Sequence, residues 1–158
     1  RNLRVFAGGL AEGAAQGAHA AAFDTVVCVN VLEHIEDDAR ALDQMKSLLR
    51  SGGRILLYVP AGPWAFGHLD RQLGHFRRYS KRRIRHLAGA GGLDLERCIY
   101  VNFPGVFGWF LHSRVLRRDV VSPQSARFVD RLVPFLSAVE RLWPPVTGQS
   151  LFAVLRKP

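Results

Sequence analysis

Only two cysteines, Cys28 and Cys98, occur in 158 residues. Both fall in stretches that predict buried strands, where cysteine serves as small apolar filler in a reducing compartment, so no disulfide is expected. No apolar run approaches the roughly 20 residues needed to span a bilayer, and nothing resembles a secretory signal. A starting methionine is also missing: the chain opens on Arg1 in mid-pattern, as expected of a piece of a longer protein. Acids are absent from residues 71–86, which hold Arg71, Arg77, Arg78, Lys81, Arg82, Arg83 and Arg85. Without those seven, 15 bases face 13 acids, a balance of +2, so the net charge of +9 is one patch. Base-stacking aromatics are sparse in it, which argues against an RNA reader. A solvated helix face, or contact with a phosphate-bearing or membrane-borne substrate, fits better than nucleic acid.

What is present is enough for one domain with a real core, with 48% hydrophobic residues. Residues 23–35, FDTVVCVNVLEHI, organise the rest. Val26, Val27, Val29 and Val31 with Cys28 form a β-branched run of the kind found in parallel strands covered on both faces. Asn30, Glu33 and His34 stand toward its carboxyl end, the edge where open α/β sheets place ligands. An ordinary strand-to-helix turn, with polar groups that only satisfy the backbone, is the alternative. Glu36, Asp37 and Asp38 then open a helix and Lys46 and Arg50 close it, complementing its dipole, with Gly52 and Gly53 as the stop. RILLYVP is a second buried strand, and strand, helix, strand implies parallel pairing through a right-handed crossover.

Residues 61–79 form a loop holding Trp64, His68, Asp70, His75, Arg77, Arg78 and Tyr79; so long a loop in a compact domain is functional or disordered, and its aromatics argue against disorder. Ser80 caps a helix whose Ile84, Leu87 and Ala88 face inward. LDLERCIYVN and GQSLFAVLRKP are the last two strands. Between them, residues 103–148 predict two helices, one of them interrupted by Pro134, that emerge on the same carboxyl edge and roof an acceptor pocket. Val106, Phe107, Trp109, Phe110 and Leu111 followed by Arg114, Arg117 and Arg118 suit an anionic membrane interface or a lipid-admitting pocket, with core packing as the alternative. Near the front, NLRVFAGGLAEG reads as a strand over 3–7 and a glycine turn, and residues 13–22 as a short helix or loose loop.

The xVLEHI stretch resembles the fourth strand and following loop of class I S-adenosylmethionine-dependent methyltransferases. ARALDQMKSLLRSGGRILLYVPA resembles the helix, glycine turn and fifth strand of that fold, and HLDRQLGHFRRYSKRRIRHL the D…GHxRRYS segment of a bacterial branch. The resemblance implies an α/β, Rossmann-like methyltransferase sheet of order 3-2-1-4-5-7-6. Strands 3 to 7 are present, strands 1 and 2 with the glycine-rich cofactor loop missing, and a helical insertion lies between the last two strands. The chain would be the carboxyl-terminal two-thirds of a single domain, with 103–148 as a lid.

The resemblance also implies S-adenosyl-L-methionine as cofactor. Gly9 and Leu10 would lie against the adenine, and Asn30, Val31 and Leu32 would line the methionine end. His34 and His75 are the candidate bases. Trp64, Arg77, Arg78 and Tyr79 would hold the acceptor, the last three alternatively locking their own loop. Small-RNA and ubiquinone-pathway O-methyltransferases resemble the chain at the same strand end, where Glu, two residues, Glu and His bind a divalent ion. Here Asn30 replaces the first carboxylate, so no metal site is expected. The expected activity is methyl transfer to an acceptor, oxygen favoured, that is a small molecule or is lipid-linked or anionic. The setting is cytoplasmic, with peripheral contact at the inner membrane face open. The competing reading is a degenerate domain serving as a binding or membrane-contact module.

Overall fold

Thr25, Val26, Val27 and Val29 crowd the backbone at Cβ or stiffen χ1, which favours extended over helical chain, and they form β1, Phe23–Val29. The computed structural model describes residues 21, 23–103, 105–106 and 145–158. After β1 come a 3-10 turn (Leu32–His34), α1 (Asp38–Leu48), β2 (Leu49–Pro60), a second 3-10 turn (Pro63–Ala65), α2 (His68–Gln72), α3 (Lys81–Ala90), β3 (Asp94–Val101) and β4 (Ser150–Arg156). The strand expected over 3–7, Gly9 and Leu10, the stretch 13–22 apart from Ala21, and nearly all of the insertion with its lid lie outside the described residues.

The sheet runs β1-β2-β4-β3. β1 and β2 are parallel, joined by α1, while β4 is antiparallel to both its neighbours. β3 therefore runs with β1 and β2, and these three strands end on one edge. This is the 4-5-7-6 portion of the sheet that the resemblance implies. Asp37 caps α1 by accepting from the Arg40 N–H at 2.9 Å, and Ser80 caps α3 by accepting from the Arg83 N–H at 3.2 Å. Ala41, Leu42 and Met45 of α1 and Ile84, Leu87 and Ala88 of α3 join Cys28, Ile55, Leu57, Val59, Leu151, Ala153 and Leu155 in one core. Among the described residues, no helix is long and apolar enough to cross a membrane.

Three expectations need correction. β1 is not covered on both faces among the described residues: Val27 is 63% and Val29 51% exposed, while Cys28 is buried. β2 repeats the alternation, with Ile55, Leu57 and Val59 buried and Leu56 and Tyr58 half-buried. The described helices cover one face only, so burial follows the period of two set by the layers, whatever the strand's composition. Second, α1 ends before the glycines. Leu49 is fully buried and already extended at φ −80°, ψ 141°, and Gly52, at φ 77°, instead accommodates an irregularity where the β1–β2 register shifts. Arg50 thus lies past the helix and pairs with Asp24. Third, segment 61–79 is not featureless loop: it contains the second 3-10 turn and α2. Its ends are stapled, since Ala61 bridges Tyr79, the Gly62 N–H donates to the Tyr79 carbonyl at 3.0 Å, and the Tyr79 N–H donates to that of Pro60 at 2.8 Å.

Candidate active site

The site begins where β1 stops. Asn30 takes a left-handed backbone at φ 49°, which asparagine tolerates better than other non-glycine residues. Its N–H still donates to the Tyr58 carbonyl at 2.8 Å, so the chain leaves the sheet at that residue. Asn30 and Val31 are exposed. Leu32, fully buried, draws the next turn inward, and its carbonyl accepts from the Ile35 N–H at 3.2 Å and the Tyr79 hydroxyl at 3.2 Å. Leu32 thus packs its side chain into the core.

Glu33 follows, only 1% exposed, and its Oε2 has no hydrogen-bond partner among the described residues. Burial pushes its carboxyl above the ordinary carboxylate range; its own backbone N–H and the nearby His75, His34 and Arg78 pull the other way. A buried, unsatisfied acceptor is uncommon enough in folded chains to ask what completes it.

The loop supplies the opposite wall. The Phe76 N–H donates to the Glu33 carbonyl at 2.8 Å, which holds the end of the D…GHxRRYS segment against the 3-10 turn. Asp70, wholly buried, accepts from the Gly67 N–H at 2.8 Å, from His75 Nδ1 at 3.0 Å and from Arg78 Nε at 2.8 Å. An ionised carboxylate only accepts, so Nδ1 of His75 is the donor in that bond, and Nε2 is the ring nitrogen not used by Asp70. The rings of His34 and His75 meet edge to face, centroids 4.7 Å apart. One ligating atom from each of Glu33, His34 and His75 lies within 4.8 Å of the other two.

Arg77, Arg78 and Tyr79 are engaged in fixing this wall. Arg77 donates to the carbonyls of Ile35 at 3.2 Å and Glu36 at 2.6 Å and pairs with Asp38 at 3.1 Å. Arg78 Nη1 donates to the Ala61 carbonyl at 3.1 Å. The Tyr79 hydroxyl shares its proton between Leu32 and Asp38 Oδ2, 3.2 Å from each, and Arg83 Nη2 binds Asp38 Oδ1 at 2.8 Å. Trp64 stands half-exposed at the start of the loop. Gly62 has φ 74°, and a Cβ there would lie 3.1 Å from Trp64 Nε1, so the turn requires glycine. The structure therefore brings His34 and His75 together and leaves Asn30 and Val31 open at the strand end, with Gly9 and Leu10 outside the described residues. The sequence places Glu33 at the ligand edge and Asp70 in the loop without giving either a role, and shows Asp38 only as part of a helix start. Asp70 carries a signal, as the one acid in residues 61–86, whose other charged groups are basic; Glu33 and Asp38 sit in an acidic stretch with Glu36 and Asp37 and carry none.

Tyr79 yields a pH prediction. Burial first, and the nearby Asp38 carboxylate second, push its hydroxyl above its ordinary range. Unfolded tyrosine ionises near pH 10 while the folded residue holds its proton, so this contribution is complete below about pH 10 and falls as pH rises beyond it. Urea unfolding between about pH 10 and 11 should show stability dropping by up to about 1.4 kcal/mol per pH unit from this group. Tyr79→Phe should remove that part of the slope; equal slopes in both proteins would contradict the assignment.

A sequence profile of the methyltransferase domain matches residues 5–97, more than half of the chain. The chain belongs to this methyltransferase-domain family. Among solved structures, this methyltransferase domain is similar to an S-adenosylmethionine-dependent methyltransferase from Archaeoglobus fulgidus (TM-score 0.59, 13% identity), over 99% of this chain and 68% of that one. A candidate methyltransferase from Bacillus halodurans gives TM-score 0.53 at 18% identity, over 88% of this chain and 71% of that one. The phosphoethanolamine N-methyltransferase 2 of Haemonchus contortus, in complex with S-adenosyl-L-methionine, gives 0.50 at 16%, over 89% and 34%. At such identities the likeness is one of fold. No curated protein matches the sequence.

Proposed function

We propose that the chain serves methyl transfer from S-adenosylmethionine to a small or lipid-linked acceptor, oxygen favoured, at the shared carboxyl edge of β1 and β2. The observation that supports this most is the convergence at that edge of Asn30, Glu33, His34 and His75 from two segments of a methyltransferase-domain chain. When bound, the cofactor would supply a sulfonium methyl to which the acceptor's lone pair bonds as the S–CH3 bond breaks, with S-adenosylhomocysteine as the leaving group. Asn30 and Val31, both exposed, fit its methionine end; Leu32 contributes only backbone. His34, the exposed member of the cluster, takes the acceptor's proton on a ring nitrogen, and His75, held by Asp70, fixes its orientation. Trp64, Leu73 and Phe76 are each about half exposed and offer apolar surface to an amphiphilic acceptor beside the exposed Arg71.

The sequence has no glycine-rich cradle, so affinity of the 158-residue chain for the cofactor is expected to be weak, and the test is an NMR titration of labelled protein with S-adenosylhomocysteine. Amide shifts should centre on Asn30, Val31 and Leu32. Shifts confined to Arg82–His86, or none at Asn30 and Val31 at millimolar ligand, would overturn the placement.

A further inference from the structure

We infer that Glu33, His34 and His75 form a binding site for a borderline divalent transition-metal ion, of which Zn²⁺ and Co²⁺ are representative. Binding of the ion stands or falls independently of the methyl-transfer reading, while the role given to it below rests on that reading.

The first ground is position. Three ligand atoms lie within 4.8 Å of one another; an ion with bonds of about 2.1 Å in tetrahedral geometry draws its ligands to about 3.4 Å apart. Side-chain rotation of about an ångström closes that difference, and His34, at the exposed end, has room to make it. The second ground is the orphaned oxygen. Glu33 Oε2 is buried without a donor among the described residues, a state that a cation relieves and that no described hydrogen bond does. The third is the arrangement behind His75. Asp70 accepts from Nδ1, itself anchored by the Arg78 guanidinium and the Gly67 N–H, which leaves Nε2 as the ligating atom. A carboxylate behind a ligating imidazole is the usual outer support of a metal-bound histidine.

The donor set selects the ion. One carboxylate and two imidazoles suit Zn²⁺, Fe²⁺ or Co²⁺ better than Mg²⁺, which takes oxygen ligands and keeps much of its water. The Glu-x-x-Glu-His pattern counted against a metal because Asn30 breaks it. The fold supplies instead a histidine 41 positions beyond His34, pinned by the Phe76–Glu33 backbone bond. Three protein ligands leave coordination positions open on the exposed side. An ion there would bind the acceptor hydroxyl and lower its pKa, replacing His34 as the group that makes it nucleophilic.

The test is titration of the metal-free 158-residue chain with Co²⁺ followed by its visible absorption, and with Zn²⁺ and Mg²⁺ by calorimetry. One equivalent of Co²⁺ or Zn²⁺ should bind at micromolar concentration or tighter, and Mg²⁺ much more weakly. His34→Gln and His75→Gln should each weaken Zn²⁺ binding at least about tenfold, while His86→Gln, on α3, leaves it unchanged. His34 is exposed, so that variant should fold as the parent does, which circular dichroism checks. No stoichiometric binding, or binding that survives both His34→Gln and His75→Gln, would overturn the site.

Discussion

Replacing Asp70 by Ala should cost about 3–5 kcal/mol of folding stability, read by urea denaturation, because it strands a buried positive charge. The Asp70 side chain is wholly buried and that of Arg78 only 2% exposed. Burial holds the Arg78 guanidinium below its usual pKa, with Asp70 as the principal opposing influence. Removing the carboxylate also unties the Gly67 N–H and the His75 ring, so the wall of the site loosens along with the ion pair. Pairing Asp70→Ala with Arg78→Met should recover part of the loss, since the charge left without a counterpart is then gone. A cost under about 1 kcal/mol, as for a surface pair, would mean that water reaches Arg78.

Leu57→Ala should fall toward the upper end of the ~2–5 kcal/mol range for buried leucines. Leu57 is fully buried and sits in a row across the sheet with Cys28 on one side and Ala153, then Cys98, on the other. Those neighbours are too small to swing into the void, so the cavity remains. Leu57→Met, which keeps the volume, should cost less than about 1.5 kcal/mol. Thermal or urea unfolding of the two variants tests this: equal losses would show that shape matters more than volume at the sheet centre.

Much of this fold is legible in local chemistry. The β-branched run of β1, the Asp37 and Ser80 caps, and the inward positions of α1 and α3 depend on neighbours within a turn or a pleat, and the strand-helix-strand order fixes parallel pairing. The coverage of β1 is not legible, because an apolar side chain carries no record of which layers lie over it. Nor is the end of α1, where the pull of Leu49 into the core outweighs the Gly52–Gly53 signal. In the site, His34 and Asn30 follow from their place at the end of a strand. The roles of Arg77, Arg78 and Tyr79 rest on acids up to about forty residues away, and a solvated arginine and a clamping one look alike in sequence. Only the fold shows that Asp70 organises His75.

β4 lies between β2 and β3, yet it is the last of the described strands to be made. During synthesis β2 leaves one edge unpaired from Pro60 until the chain has reached Arg156, on the order of 5 to 20 s at ribosomal rates. β3 pairs only with β4 among the described strands, so it has no place in the sheet during that interval. The nascent chain thus carries two strands with open edges, a template for pairing with other chains, and its yield in a cell should depend on whatever holds those edges apart until Ser150–Arg156 emerges.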